Sequence, residues 1–184
     1  MHKPVQPAQQ GTFKISISAG IQLYDLKRDT GNYNRAGIIG LEIGVNYFYR
    51  ENKFLSYNTG GGVATELDLK SSSYDSAHLR ETGATIYTSI RDNFTKGIFD
   101  IGYGLSFSYL SWAAAPFYSS LNLPTHTVRT IGMGLSFSAH IRLTPGFKIG
   151  LLYQPNLLNI NRSPTFEYQH YLSFHATWSF SSRH

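Results

Sequence analysis

Ile101-Gly102-Tyr103-Gly104-Leu105-Ser106-Phe107-Ser108 returns almost unchanged as Ile131-Gly132-Met133-Gly134-Leu135-Ser136-Phe137-Ser138. In both copies every odd position is apolar and every even position is Gly or Ser. Successive side chains of a strand point to opposite faces, so each copy is a strand with one greasy face and one small, polar face. A soluble strand sets its apolar face against a charged one. Here the polar face carries hydroxyls and glycines instead of Lys and Glu, and that difference decides the fold class.

Composition agrees with a membrane environment reached by strands. Charged residues make up 15% of the 184 residues and aromatics another 15%. Soluble domains carry roughly 25% charge. Mean hydropathy is only -0.23. No run of about 18 apolar residues is present, so the sequence contains no transmembrane helix. Low charge, many aromatics and alternating strands point to a membrane-spanning β-barrel, whose hydropathy signal is weak per segment. There is no cysteine, which excludes disulfides and thiolate chemistry. The net charge of +5 suits anionic lipid headgroups as well as it suits nucleic acid. Met1–Gly11 has no apolar core and is not a signal peptide. A secreted barrel needs one, so the expectation is a processed chain whose first eleven residues form a flexible periplasmic tail.

The same alternation recurs along the chain. Strands are expected at about 13–24, 36–49, 54–68, 81–91, 98–112, 128–142, 147–153 and 166–180. Long connections are expected at 25–35, 69–80, 113–127 and 154–165, with short turns at 50–53, 92–97 and 143–146. Long and short connections thus alternate, as in transmembrane barrels with short periplasmic turns and longer outside loops. Aromatics crowd strand ends at Tyr47, Tyr49, Tyr109, Tyr153, Tyr168 and Trp178, as interfacial girdles do. A soluble eight-stranded barrel would have to take roughly forty large side chains into a lumen too small for them. Its outer face would be Gly and Ser. The fold class is therefore all-β, an eight-stranded antiparallel up-and-down transmembrane β-barrel over 12–180, with a short tail at 181–184.

In strand count, loop alternation and closing strand the chain resembles the small eight-stranded outer-membrane proteins, the family of the OmpA membrane domain and OmpX. The closing strand, Tyr171-Leu172-Ser173-Phe174-His175-Ala176-Thr177-Trp178-Ser179-Phe180, resembles that family's C-terminal assembly signal of alternating hydrophobics ending in Phe. The sequence departs by continuing Ser181-Ser182-Arg183-His184. The resemblance implies the bacterial outer membrane and contact with its lipids, including lipopolysaccharide. It implies no particular activity, because activities differ within one fold.

Parity turns an ionisable set inward: Lys14, Glu42, Glu66, Arg91, Asp100, His140, Arg142, Lys148 and Glu167, with His175 nearby. Arg91 and Asp100, on either side of the turn at 92–97, are expected to be cross-strand neighbours. Buried charges must be paired, so the expected role is an ion-pair network filling a narrow lumen, with a narrow ion path as the alternative. Inward glycines are expected to leave water-sized gaps.

Catalytic and cofactor patterns are weak. Lipid A deacylases carry His-x-Ser on one strand; the nearest match here is His175-Ala176-Thr177, with a weaker nucleophile and both residues inward. Gly102-x-Gly104 and Gly132-x-Gly134 lack the third glycine and the helix of a nucleotide loop. No metal or cofactor is expected. Basic residues in or beside the long loops (Lys27, Arg28, Arg35, Lys70, Arg80, Arg129 and Arg162) could meet lipopolysaccharide phosphates or simply be solvated. The loop 113–127 is unusually apolar, and with its flank it offers Trp112, Pro116, Phe117, Tyr118 and Leu121 as a candidate partner-contact loop. The expected function is non-enzymatic, acting through loops or lipid-facing wall as a binding or accessory subunit of a larger outer-membrane assembly. A stand-alone structural or adhesion barrel, a narrow pore and a lipid A-modifying enzyme are the alternatives. No nucleic-acid partner is expected.

Overall fold

Alternating sequence becomes strand throughout. The computed structural model describes residues 10–28, 31–64, 79–116, 126–161 and 165–181. They form β1 (Phe13–Arg28), β2 (Gly31–Arg50), β3 (Lys53–Ala64), β4 (Leu79–Lys96), β5 (Phe99–Pro116), β6 (His126–Thr144), β7 (Phe147–Asn159) and β8 (Thr165–Ser181). Each strand pairs antiparallel with its sequence neighbour. β1 also pairs with β8, from Lys14↔Ser181 to Tyr24↔Tyr171, which closes the barrel and leaves its membrane-spanning part without an edge.

The repeated octapeptides turn out to be partners. β5 and β6 lie side by side with Leu105 opposite Leu135 and Tyr103 opposite Phe137. Their antiparallel register sets Gly102 against Ser138, Gly104 against Ser136, Ser106 against Gly134 and Ser108 against Gly132. A motif written Gly-x-Gly-x-Ser-x-Ser is self-complementary when its second copy runs backwards: each bare backbone faces one hydroxyl. Their apolar halves point outward, with Tyr103 62% and Leu105 55% exposed, while Ser106 and Ser136 are sealed inside. Outward Ile, Leu, Val and aromatic side chains continue around all eight strands as one belt.

Three turns at 51–52, 97–98 and 145–146 close one end. Gly97 has φ 61°, a left-handed conformation that suits glycine. The turns are stitched to adjoining strands: Thr95 N–H donates to Asn52 C=O (2.8 Å), Arg142 N–H to Ile98 C=O (2.7 Å) and Ser179 N–H to Gly146 C=O (2.8 Å).

Several strand bounds differ from the sequence reading. β1 and β2 pair as far as Arg28↔Gly31, so most of the expected loop at 25–35 is ladder. The expected turn at 92–97 shrinks to 97–98, since β4 runs to Lys96. β7 is not short; it reaches Asn159 with Pro155 inside it and a bulge between Asn156 and Leu158. β5 and β6 take in 113–116 and 126–127 from the expected loop at 113–127. The cause is common to all of them. Hydrophobic alternation marks the stretch that lipid touches, while backbone pairing continues beyond it.

At Gly104 and Gly60 the missing side chain leaves no gap. A Cβ on Gly104 would collide with the Ile90 carbonyl oxygen, and one on Gly60 would stand 2.6 Å from the Tyr87 ring. Neighbours have filled the space that the missing side chains release. Gly104→Ala is therefore expected to cost about 1–3 kcal/mol through overpacking, read as a lower urea midpoint of the refolded barrel; an unchanged midpoint would refute the tight fit.

Candidate functional site: the lumen and the long-connection rim

Hydroxyl, amide and charged side chains stack inside the barrel in layers. Nearest the short turns, Asp100 on β5 accepts from Arg142 on β6 through Nη2 (2.6 Å) and Nε (3.0 and 3.1 Å). Thr95 Oγ1 donates to the same carboxylate (2.7 Å), and Lys148 Nζ lies 3.9 Å from it. This bidentate fork is strong because both partners are charged and planar. Beside it, Lys14 Nζ sits 5.1 Å from the Phe48 ring centroid and Lys148 Nζ 5.7 Å from that of Phe54. Phe48 and Phe54 pack on each other at 4.8 Å, both buried, so cation–π contacts and aromatic bulk narrow this end.

The middle layer joins Glu42 on β2 to two residues of β4. Tyr87 Oη donates to Glu42 Oε2 (3.0 Å), and Arg91 Nη2 donates to Glu42 Oε1 (3.4 Å). His140 on β6 and His175 on β8 flank Gly150 on β7, and their Nε2 atoms meet at 2.7 Å. One ring must donate and the other accept, so at least one of the two is neutral. Gly150 is bare because a Cβ there would press on the His140 ring at 2.5 Å.

Toward the long-connection end, Tyr87, Leu152 and Tyr171 form a buried cluster with Leu110 against it. Above them lies a crevice of only about 20 Å³, lined by residues that include Ser108, Gln154 and Asn156. That is room for about one water molecule. Asn156 Nδ2 donates to Ser108 Oγ (2.8 Å) and Gln154 Nε2 to Ser136 Oγ (3.3 Å).

The structure thus places Lys14, Glu42, Arg91, Asp100, His140, Arg142, Lys148 and His175 in the lumen. Glu66 lies outside the described residues, and Glu167 belongs to β8. Arg91 and Asp100 are not cross-strand neighbours. Arg91 stands opposite Gly104, and Asp100 opposite Thr95, because the tight turn at 97–98 shifts the pairing. Each therefore finds its counter-charge elsewhere, in Glu42 and Arg142. His175 and Thr177 are likewise engaged separately, His175 with His140 and Thr177 Oγ1 with Ser18 Oγ (2.9 Å). A nucleophile needs a base in hydrogen-bond reach, and this pair is not arranged so. Among the described residues no group of three or more His, Cys, Asp or Glu is placed to hold a metal ion. Phe48, Phe54, Leu152 and Tyr171 are inward residues that a search for charges overlooks, although their parity alone was enough to find them.

At the rim, Trp112 and Pro116 belong to β5, while Phe117, Tyr118 and Leu121 lie outside the described residues. Of the basic residues near the long connections, Arg129 is exposed on β6. Its carbonyl accepts from Asn161 Nδ2 (2.6 Å), and Ile131 N–H donates to Asn161 Oδ1 (2.9 Å). Asn161 thereby covers the β6 edge that β7 leaves unpaired.

No protein-family model matches the chain, and no curated protein matches it by sequence. Solved structures do match by fold. Ail, the attachment invasion locus protein of Yersinia pestis, superposes with a TM-score of 0.63 at 12% identity, covering 94% of this chain and 100% of Ail. OprG, an outer-membrane protein of Pseudomonas aeruginosa, gives 0.57 at 9% identity, covering 94% and 98%. Neisserial surface protein A gives 0.53 at 12% identity, covering 92% and 97%. The chain has the fold of the small eight-stranded outer-membrane barrels, and its outward apolar belt is a surface suited to lipid.

Proposed function

We propose that this barrel is non-catalytic and works as a binding or accessory subunit, with its contact surface on the long-connection rim. One observation carries the reading. β4, β5 and β6 are 18, 18 and 19 residues long. A strand crosses the hydrocarbon in about 9–11 residues. The surplus stands above the membrane as a three-stranded blade. In it, Leu79–Thr82 of β4 pair with β5 on one side, while β3 ends at Ala64, opposite Gly83. Among the described residues nothing pairs with the other side of Leu79–Thr82. A strand end of this kind is where an extended peptide segment of a partner would add, through backbone hydrogen bonds. The apolar run Ala113–Ala115 lies directly beside it on β5.

Charge on this rim favours a protein partner over a polyanion. Segments 24–38, 65–82, 112–129 and 160–167 together hold seven basic and seven acidic residues. A structure of Ail exists in complex with the heparin analogue sucrose octasulfate. A rim of balanced charge offers a sulfated or phosphorylated surface no net attraction. Contact with lipopolysaccharide phosphates is then local, at side chains such as Arg129. A filled, aromatic-capped lumen also weighs against a pore.

Deleting residues 113–121 tests the reading. The barrel is expected to fold and to keep its heat-modifiable migration, while the mass of the native complex after gentle detergent extraction falls to that of the 20.7 kDa chain. A complex unchanged by the deletion would refute the rim as the contact surface. A wild-type chain that is already alone would favour the stand-alone adhesion barrel.

A further inference from the structure

Among the described residues the lumen is short of hydrogen-bond acceptors at one place. Four cations, Lys14, Arg91, Arg142 and Lys148, face two carboxylates, Glu42 and Asp100, among the described inward residues. Asp100 is taken by Arg142, Thr95 and Lys148, which leaves Glu42 for Arg91. That contact engages Nη2 alone, at 3.4 Å. Arg91 is only 3% exposed, yet its Nε and Nη1 meet no acceptor.

Two more orphaned groups lie on the same patch of wall. Ser89 is two residues along β4 from Arg91, on the same face, and Asn58 of β3 stands directly opposite Ser89 in register. Ser89 Oγ and Asn58 Nδ2 are both buried without a partner. Side chains opposite each other across a strand pair are about 5 Å apart. Three donor-bearing side chains therefore converge on a short stretch of β3 and β4. Buried donors that go unmet cost about 1–3 kcal/mol each, more for charged ones. A cation is excluded by the Arg91 guanidinium and the amide donor beside it, and an organic anion by the narrowness of the lumen.

We propose that the lumen binds a small inorganic anion of the halide class, held by Arg91 Nε and Nη1 with Ser89 Oγ and Asn58 Nδ2. The anion completes the donor set and sits against the Arg91 guanidinium. The inference is independent of the rim, since none of these residues reaches the long connections.

Bromide reports the site directly. The full chain, refolded in detergent and crystallised from sodium bromide, is expected to show an anomalous peak in the lumen within hydrogen-bond distance of Arg91. The double variant Glu42→Gln/Arg91→Gln removes the ion pair without leaving either charge alone, and it is expected to lose that peak. Bromide found only on the outer surface, as an adventitious ion only, would overturn the proposal. So would a lumenal peak that persists unchanged in the double variant. Should the double variant fail to refold, the Ser89→Ala/Asn58→Leu variant is expected to lose most of the peak occupancy, and full retention would count against the site.

Discussion

Asp100→Ala is expected to lower the stability of the refolded barrel by about 3–5 kcal/mol. The carboxylate is 4% exposed and serves Arg142, Thr95 and Lys148 together. Removing it strands two cations in a wall with no other acid at that level among the described residues. The loss comes from their uncompensated charge more than from the missing bonds. Asp100→Asn keeps one acceptor and is expected to lose less. Asp100→Leu/Arg142→Met removes both sides of the fork and should recover much of the difference, since exchanging a buried pair for apolar groups is often close to neutral. Reversible urea unfolding in detergent micelles measures all three. A cost under about 1 kcal/mol for Asp100→Ala would show that water entering from the short-turn end solvates the fork. Arg142, with 18% of its side chain exposed, is the member through which water would enter.

What could be read from the sequence was the inside and outside of each strand. Parity placed Leu105, Leu135 and Phe137 on the outer face and Glu42, Arg91, Asp100 and His140 within, and it counted eight strands. This worked because a two-residue period has only two answers once one face must meet lipid. Strand ends were not legible in the same way. Asp25 and Asn34, or Lys27 and Asn32, pair as well as Ile17 and Ile43 do, but no bilayer imposes alternation on them. Register across a turn was equally hidden, because it depends on whether the turn takes two residues or six. That single uncertainty gave Arg91 the wrong partner. The His140–His175 contact spans 35 positions in sequence and joins strands separated by β7, so no local spacing announces it. The orphaned donors of Arg91 were invisible for the same reason. Sequence gives a residue its face, while only the closed barrel says what else reaches the same level.

The outward face is also where a single substitution would speak most clearly about the solvent around the barrel. Leu105 sits midway along the outward series Phe99, Ile101, Tyr103, Leu105, Phe107 and Tyr109 on β5, and it is 55% exposed. In water, arginine at an exposed strand position would change stability by no more than about 0.5 kcal/mol. In a bilayer, Leu105→Arg places a cation near the midplane and is expected to cost about 2–4 kcal/mol. Phe99→Arg, at the end of the same series beside the turn at 97–98, should cost only about 0–1 kcal/mol because its side chain reaches the headgroups. The comparison uses refolding into phospholipid vesicles, with both variants and wild type unfolded in guanidinium. A steep difference between the two positions fixes the depth of the belt along β5. Equal and small effects would mean that the apolar wall is not lipid-facing, and the membrane assignment would fall with it.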